Sequence, residues 1–313
     1  MPAQMKVLVT GTTGFVGSCL SRRLLEMGYE VHSFKRTLSN PWRLVDIRRN
    51  IVEHVVDLRD ADAVGRGVER IRPQVIYHCA TYGGFADQKD TTAIFESNVL
   101  GTVNLLKACE RVGFDYFVNT GSSSEYGIKF HPMDERDALE PNGDYGVSKA
   151  AATLFCKSEG ISKQLPIVTL RLFSPYGPWD DPRRLIPYVI KSFLRNEVPQ
   201  LTLPTSVRDF IFIEDILDAY IAVVKKPFLG EVFNIGSGTQ SSLGEVVTIV
   251  KDLLHTSAEP AWGAVSKQRQ EPCLWVAQNN KARNNIEWDP STSLKSGLQR
   301  TEVWMQNNLN LYP

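Results

Sequence analysis

The sequence carries no excess of either charge: lysine plus arginine number 35, and aspartate plus glutamate number 35. A general attraction to nucleic acid or to an anionic membrane surface is therefore not expected, because both need a cationic field. No apolar run approaches the ~20 residues of a membrane span. The first one, Val7-Leu8-Val9, is short and meets glycines at once, so it is not a signal-peptide core. Cysteine is sparse. Cys19, Cys79, Cys109, Cys156 and Cys273 are odd in number and form no C-x-x-C pair. The expectation is reduced thiols in a cytoplasmic protein, with neither a disulfide framework nor a metal site.

What is present is an ordinary globular composition. The chain has 313 residues, 42% of them hydrophobic and 22% charged, which excludes a disordered polymer. A chain of this length buries roughly 75% of its unfolded surface, enough for a large core.

In the first half, short apolar runs alternate with stretches of helical spacing. Strands are expected at 6–9, 30–34, 52–57, 75–79, 116–119 and 167–172. Helices are expected at 16–27, 61–70, 91–112 and 145–163. Continuous apolar strands between helices indicate an α/β fold, a doubly wound parallel sheet covered on both faces. After Phe173 the pattern loosens. The reading is a first domain over 1–172, with returns near 209–235, and a smaller interleaved α/β domain over most of 173–313.

The most informative segment follows the first strand. Thr10-Gly11-Thr12-Thr13-Gly14-Phe15-Val16-Gly17 is a G-x-x-G-x-x-G loop that opens the first helix. Glycine permits the tight turn, the approach of backbone to a pyrophosphate, and close helix–strand packing. The helix N-terminus then offers N–H groups and partial positive charge to phosphates. Gly11, Thr13, Gly14, Phe15, Val16 and Gly17 are thus candidate dinucleotide contacts.

At the end of the second strand an NAD site usually carries an acid for the ribose 2′-hydroxyl. Lys35 and Arg36 stand there instead. Two cations suit a 2′-phosphate, so NADP(H) is favoured, with NAD(H) as the alternative. Asp57 and Leu58, at the end of the third strand, are candidates for the adenine, or else a plain helix cap.

Tyr145-Gly146-Val147-Ser148-Lys149 places a tyrosine and a lysine four residues apart, on one helical face. A nearby ammonium favours the phenolate and makes tyrosine a usable acid or base. Upstream, the Ser122-Ser123-Ser124-Glu125 run follows a strand. A hydroxyl there can hold a substrate oxygen towards Tyr145.

These segments together resemble the extended short-chain dehydrogenase/reductases, of the nucleotide-sugar epimerase, dehydratase and reductase type. The resemblance spans nearly the whole chain. It rests on T-G-T-T-G-F-V-G at 10–17, H-C-A-T at 78–81, E-S-N-V-L-G-T at 96–102, S-S-S-E-Y-G at 122–127 and Y-G-V-S-K at 145–149, and on R-L-F-S-P-Y-G-P at 171–178 and R-D-F-I-F-I-E-D at 208–215. The family implies a Rossmann domain, a smaller C-terminal domain and a nucleoside diphosphate sugar as substrate. It implies that Tyr145 is the general acid/base, that Lys149 orients the nicotinamide ribose, and that Ser122, with Ser123 as fallback, supplies the hydroxyl. It implies further that Arg208 grips the diphosphate, helped by Arg269, and that Ser124, Glu125 and Ser174 lie at the substrate, as does Asn98 unless it merely ties strand to helix. A homodimer through the two long helices is also implied.

Two departures narrow the chemistry. Family dehydratases and decarboxylases carry a glutamate two places before the tyrosine that matches Tyr126, where this chain has Ser124; Glu125 falls one place late. That disfavours 4,6-dehydration and decarboxylation. The family's usual R-x-F-N ends here in Ser174. The expected activity is an NADPH-dependent 4-ketoreductase of a 4-keto-6-deoxy sugar nucleotide. The alternatives are an NAD-dependent nucleotide-sugar 4-epimerase and a non-catalytic NADP(H) sensor.

Overall fold

A computed structural model describes residues 4–265 and 272–312. The chain forms two compact units. The first takes the chain up to Gly127, then Glu135–Leu172 and Leu217–Phe233; the second takes Ile128–Asp134, Phe173–Ile216 and the chain from Asn234 on. The returning segment is narrower than the 209–235 span read from sequence, and nothing in the sequence marked Ile128–Asp134 as part of the second unit.

Six strands of the central sheet are β1 (Lys6–Thr10), β2 (Glu30–Lys35), β3 (Val52–Val55), β4 (Val75–His78), β5 (Tyr116–Ser122) and β6 (Ile167–Leu172). With Glu231–Ile235 as the seventh, the order is Glu231–Ile235, β6, β5, β4, β1, β2, β3. The pairs from β3 to β6 all run parallel. The order reverses at β1, and ligands of open parallel sheets lie beyond the strand ends at such a point. β3 stops at Val55, two residues short of the expected end.

Alternate residues of each strand face opposite sides. Leu8, Phe34, Ile76 and Phe117 point to one face. There they meet Val64 and Val68 of α2 (Ala61–Ile71), Leu105, Leu106 and Cys109 of the 101–112 helix, and Cys156 of the 144–163 helix. α1 (Phe15–Glu26) buries Leu20 and Leu24.

The long helix expected over 91–112 is interrupted. It consists of α3 (Thr91–Phe95), a π-helical turn (Glu96–Leu100) and α4 (Gly101–Val112). The π turn holds Asn98, whose buried amide makes the bonds described below; such turns recur at functional sites. Next comes α5 (Asp144–Lys163), the longest helix among the described residues.

In the second unit, Ser174–Tyr176 pairs with Phe210–Phe212, and Val207–Arg208 pairs with Ser241–Ser242. Asp209, fully buried, binds this unit together: its carboxylate accepts from Ser237 N–H and Oγ–H, Gly238 N–H and Ala277 N–H. Among the described residues no helix is long and apolar enough to cross a membrane.

Candidate active site

The glycine loop follows β1 directly. Gly14 N–H donates to Gly11 O at 2.9 Å, which closes the turn. Gly11 has φ +73°, and a Cβ there would sit 2.6 Å from the Ala80 nitrogen. A Cβ on Gly17 would collide with the Gly11 carbonyl. α1 starts at Phe15 with no side-chain cap and no acid in its first turn. Its leading N–H groups are thus left for an outside acceptor. Arg43, itself buried, reaches the loop and donates to Thr13 O at 3.2 Å.

The other site segments in this unit converge through close packing. Ser122 ends β5 and caps the short turn Ser123–Glu125. Its Oγ accepts from Ser124 N–H at 3.1 Å, so its own proton stays available. The first turn of α5 packs on this segment because residue 146 is glycine: a Cβ there would lie 2.7 Å from Ser124 O. Gly146 therefore brings Tyr145 beside the serine turn, a role that the motif alone did not disclose. Tyr145 is half-buried. Lys149 is 3% exposed, and its ammonium makes no hydrogen bond or ion pair among the described residues. An ammonium with no partner of its own is free to donate to a ligand. That orphaned ammonium, the cradle at Gly11 and the uncapped α1 all fit a nicotinamide dinucleotide.

A buried hydrogen-bond chain connects the loop strand to α5. Thr102 Oγ donates to Asn98 O at 2.6 Å, so it can only accept from His78 Nε2, 2.8 Å away. His78 Nδ1 in turn accepts from Thr10 Oγ at 2.7 Å. Burial, with Lys149's charge adding to it, pushes His78 down to about 3, so the ring is neutral. Cys79, beside it, is pushed up to about 11 by burial and stays a thiol.

Three sequence expectations are corrected here. Asn98 has no capacity left for substrate: its Nδ2 donates to Tyr82 O and Ser148 Oγ, and its Oδ1 accepts from Tyr82 N–H and Thr81 Oγ–H. It ties the loop after β4 to α5. Glu125 is fully buried: it accepts from Ser122 N–H, Thr153 Oγ–H and Arg171 Nε, and so is turned away from any substrate. Lys35 does not stand as a free cation for a 2′-phosphate: its Nζ lies 2.9 Å from Glu53 Oε2.

The remaining predicted residues are placed as follows. Arg36 is exposed. Asp57 gives its carboxylate to Arg59, which holds it below the ordinary value. Leu58 packs its Cβ against Gly101. Ser123 is buried and Ser124 half-buried. Ser174 and Arg208 belong to the second unit, where Arg208 lies over the Trp275 ring at 5.8 Å. Arg269 lies outside the described residues. Sequence reasoning did not single out Glu53, and gave no individual role to His78, Gly146 or Arg171.

A Rossmann sheet, an uncapped glycine loop and a Tyr145/Lys149 helix define the class, an NAD(P)-dependent enzyme of the extended short-chain dehydrogenase/reductase type. The chain belongs to the NAD dependent epimerase/dehydratase family, whose model matches residues 7–236. It is 31% identical, over 97% of its length and 98% of the relative's, to an uncharacterized UDP-glucose epimerase, YtcB, of Bacillus subtilis strain 168. Its fold is similar to that of UDP-glucuronic acid 4-epimerase from Bacillus cereus, solved with UDP-glucuronic acid and NAD: 27% identity, TM-score 0.88, 97% of this chain and 100% of that one. It is also similar to dTDP-glucose 4,6-dehydratase from Bacillus anthracis strain Ames, solved with NAD: 26% identity, TM-score 0.88, 98% of both chains.

Proposed function

We propose that the protein is an NAD-dependent nucleotide-sugar 4-epimerase, with a UDP-sugar as the first substrate to test. The observation that carries this reading is the burial of Glu125. Dehydration needs a carboxylate on the serine turn, and here the turn offers only hydroxyls. What it supports is hydride chemistry at a ring carbon.

The bound dinucleotide would supply a hydride acceptor that can also return the hydride. Tyr145 takes the proton of the sugar 4-hydroxyl and gives it back. Lys149 holds the nicotinamide ribose. Ser122 uses its free proton to donate to the sugar oxygen. The loop of Gly11, Gly14 and Gly17, with Thr13 and the N–H groups of Phe15 and Val16, holds the pyrophosphate. Arg208 and Arg269 take the sugar-nucleotide diphosphate, with Ser124 and Ser174 as further substrate contacts.

Similar proteins solved with NAD support NAD over NADP. The pairing of Lys35 with Glu53 removes half of the charge argument for NADP. Exposed Arg36 is the observation that favours the ketoreductase reading. A homodimer is supported by an apolar stripe on α5: Val147, Leu154 and Ile161 are 39%, 55% and 51% exposed and recur every seven residues.

The test is to denature the purified protein, identify the released dinucleotide by mass spectrometry, and assay interconversion of UDP-glucose and UDP-galactose or their uronic acids. Co-purified NAD with interconversion is expected. An empty protein that consumes NADPH on a 4-keto sugar nucleotide overturns the epimerase reading.

A further inference from the structure

In dinucleotide sites of this fold the acid that recognises the ribose 2′-hydroxyl stands at the end of the second strand. Here that place holds Lys35, and the acid comes from the neighbouring strand. We infer that Glu53 sets the dinucleotide preference of this chain, by holding Lys35 and placing a carboxylate at the corner where a 2′-phosphate would have to enter. The inference rests on the proposed dinucleotide site.

The register dictates the pairing. Ser33 lies opposite Glu53, and Lys35 lies opposite Val55. Residues 33, 35 and 53 therefore share one face of the sheet, and Lys35 meets Glu53 on the diagonal. That face adjoins the phosphate loop, since the Ser33 hydroxyl bonds that of Thr12. The level is also right: Phe34 is opposite Thr10, the residue before Gly11, so Lys35 lies at the strand end beside the loop.

The pair is tight and mostly shielded. The two side chains are 13% and 17% exposed and 2.9 Å apart. Arg48 adds a second contact to Glu53 at 3.2 Å. Burial works to raise the Glu53 carboxyl, but the hydrogen bonds from Lys35 and Arg48 outweigh it and keep it ionised. Of the other cations near this corner, Arg43 donates to Thr13 O, and Arg36 is exposed and in the field of Asp57. A 2′-phosphate would find the Lys35 ammonium already paired with a carboxylate, and would have to approach that carboxylate to reach it. A 2′-hydroxyl needs no free cation.

The experiment is equilibrium binding of NAD+ and NADP+ to the full chain, for wild type, Glu53→Gln, Lys35→Ala and the double variant. Wild type is expected to prefer NAD+. Glu53→Gln frees the lysine charge and should cut that preference at least about tenfold. Lys35→Ala alone should change the ratio little, because its charge is already spent. In the Glu53→Gln background, Lys35→Ala should restore much of the preference. An unchanged ratio in Glu53→Gln, or a wild type that prefers NADP+, overturns the inference. A gain for NADP+ that survives Lys35→Ala also overturns it, by moving the effect to Arg36 or Arg48. A wild type that binds neither dinucleotide fails the site reading itself, and is told apart by that total loss.

Discussion

The Nε of Arg171 lies 2.7 Å from Oε2 of Glu125, and both side chains are shut away from water. Arg171 also donates to the Tyr126 hydroxyl at 2.9 Å. This buried pair fixes the serine turn from beneath, since the same carboxylate accepts from Ser122 N–H. Arg171→Met should leave an uncompensated carboxylate and cost about 3–5 kcal/mol, read from urea unfolding. Glu125→Gln, which keeps an acceptor, should cost less. A shift under about 1 kcal/mol for Arg171→Met is the size of an exposed pair and removes the account.

Tyr145→Phe should lower turnover by about 10²–10⁴-fold while sugar-nucleotide and dinucleotide binding persist. Lys149→Met should weaken dinucleotide binding as well, because it removes the orphaned ammonium. Titration of both variants with NAD+ separates the two roles. Equal affinities would show that Lys149 does not hold the cofactor.

His78 is held neutral by burial and by Lys149, its value pushed down to about 3 from 6.5. The unfolded chain therefore takes up the proton first as pH falls. The stability this group confers is complete above pH about 6.5 and is lost progressively as pH falls towards about 3. His78→Gln should flatten that part of the curve of unfolding free energy against pH. His32 and His54, lowered in the same direction by burial, leave a residual slope. An unchanged slope would mean that the Thr10–His78–Thr102 chain opens before it titrates.

Glu302 is buried in the 294–307 helix, and its Oε1 has no hydrogen-bond partner. Burial raises its carboxyl above the ordinary value, against the hydrogen bond with Gln306. A raised carboxylate favours the native state at low pH and opposes it as pH rises through the native value. Glu302→Gln should therefore raise the melting temperature at pH 7 and lose that advantage near pH 4. A lower melting temperature at pH 7 would show that the charge is satisfied.

The sequence by itself determined whatever depends on neighbours along the chain. The strand–glycine–helix opening was legible because Gly11, Gly14 and Gly17 act within one turn. Tyr145 and Lys149 were legible because helical spacing alone puts them on one face. Glu125 was half legible: its offset excluded a dehydratase carboxylate, but Arg171, 46 residues on, decided where the side chain goes. Asn98 was left between a substrate contact and a structural tie, because sequence cannot count the partners that saturate its amide.

Only the tertiary structure decided the meaning of Lys35. From sequence it is a cation at the place of cofactor selection. In the fold, parallel register puts Glu53 on the same face within 2.9 Å and changes the local charge. Register between strands that a long loop separates depends on sheet packing. A local pattern can name a charge, but which charge stands opposite it is set by how the strands align.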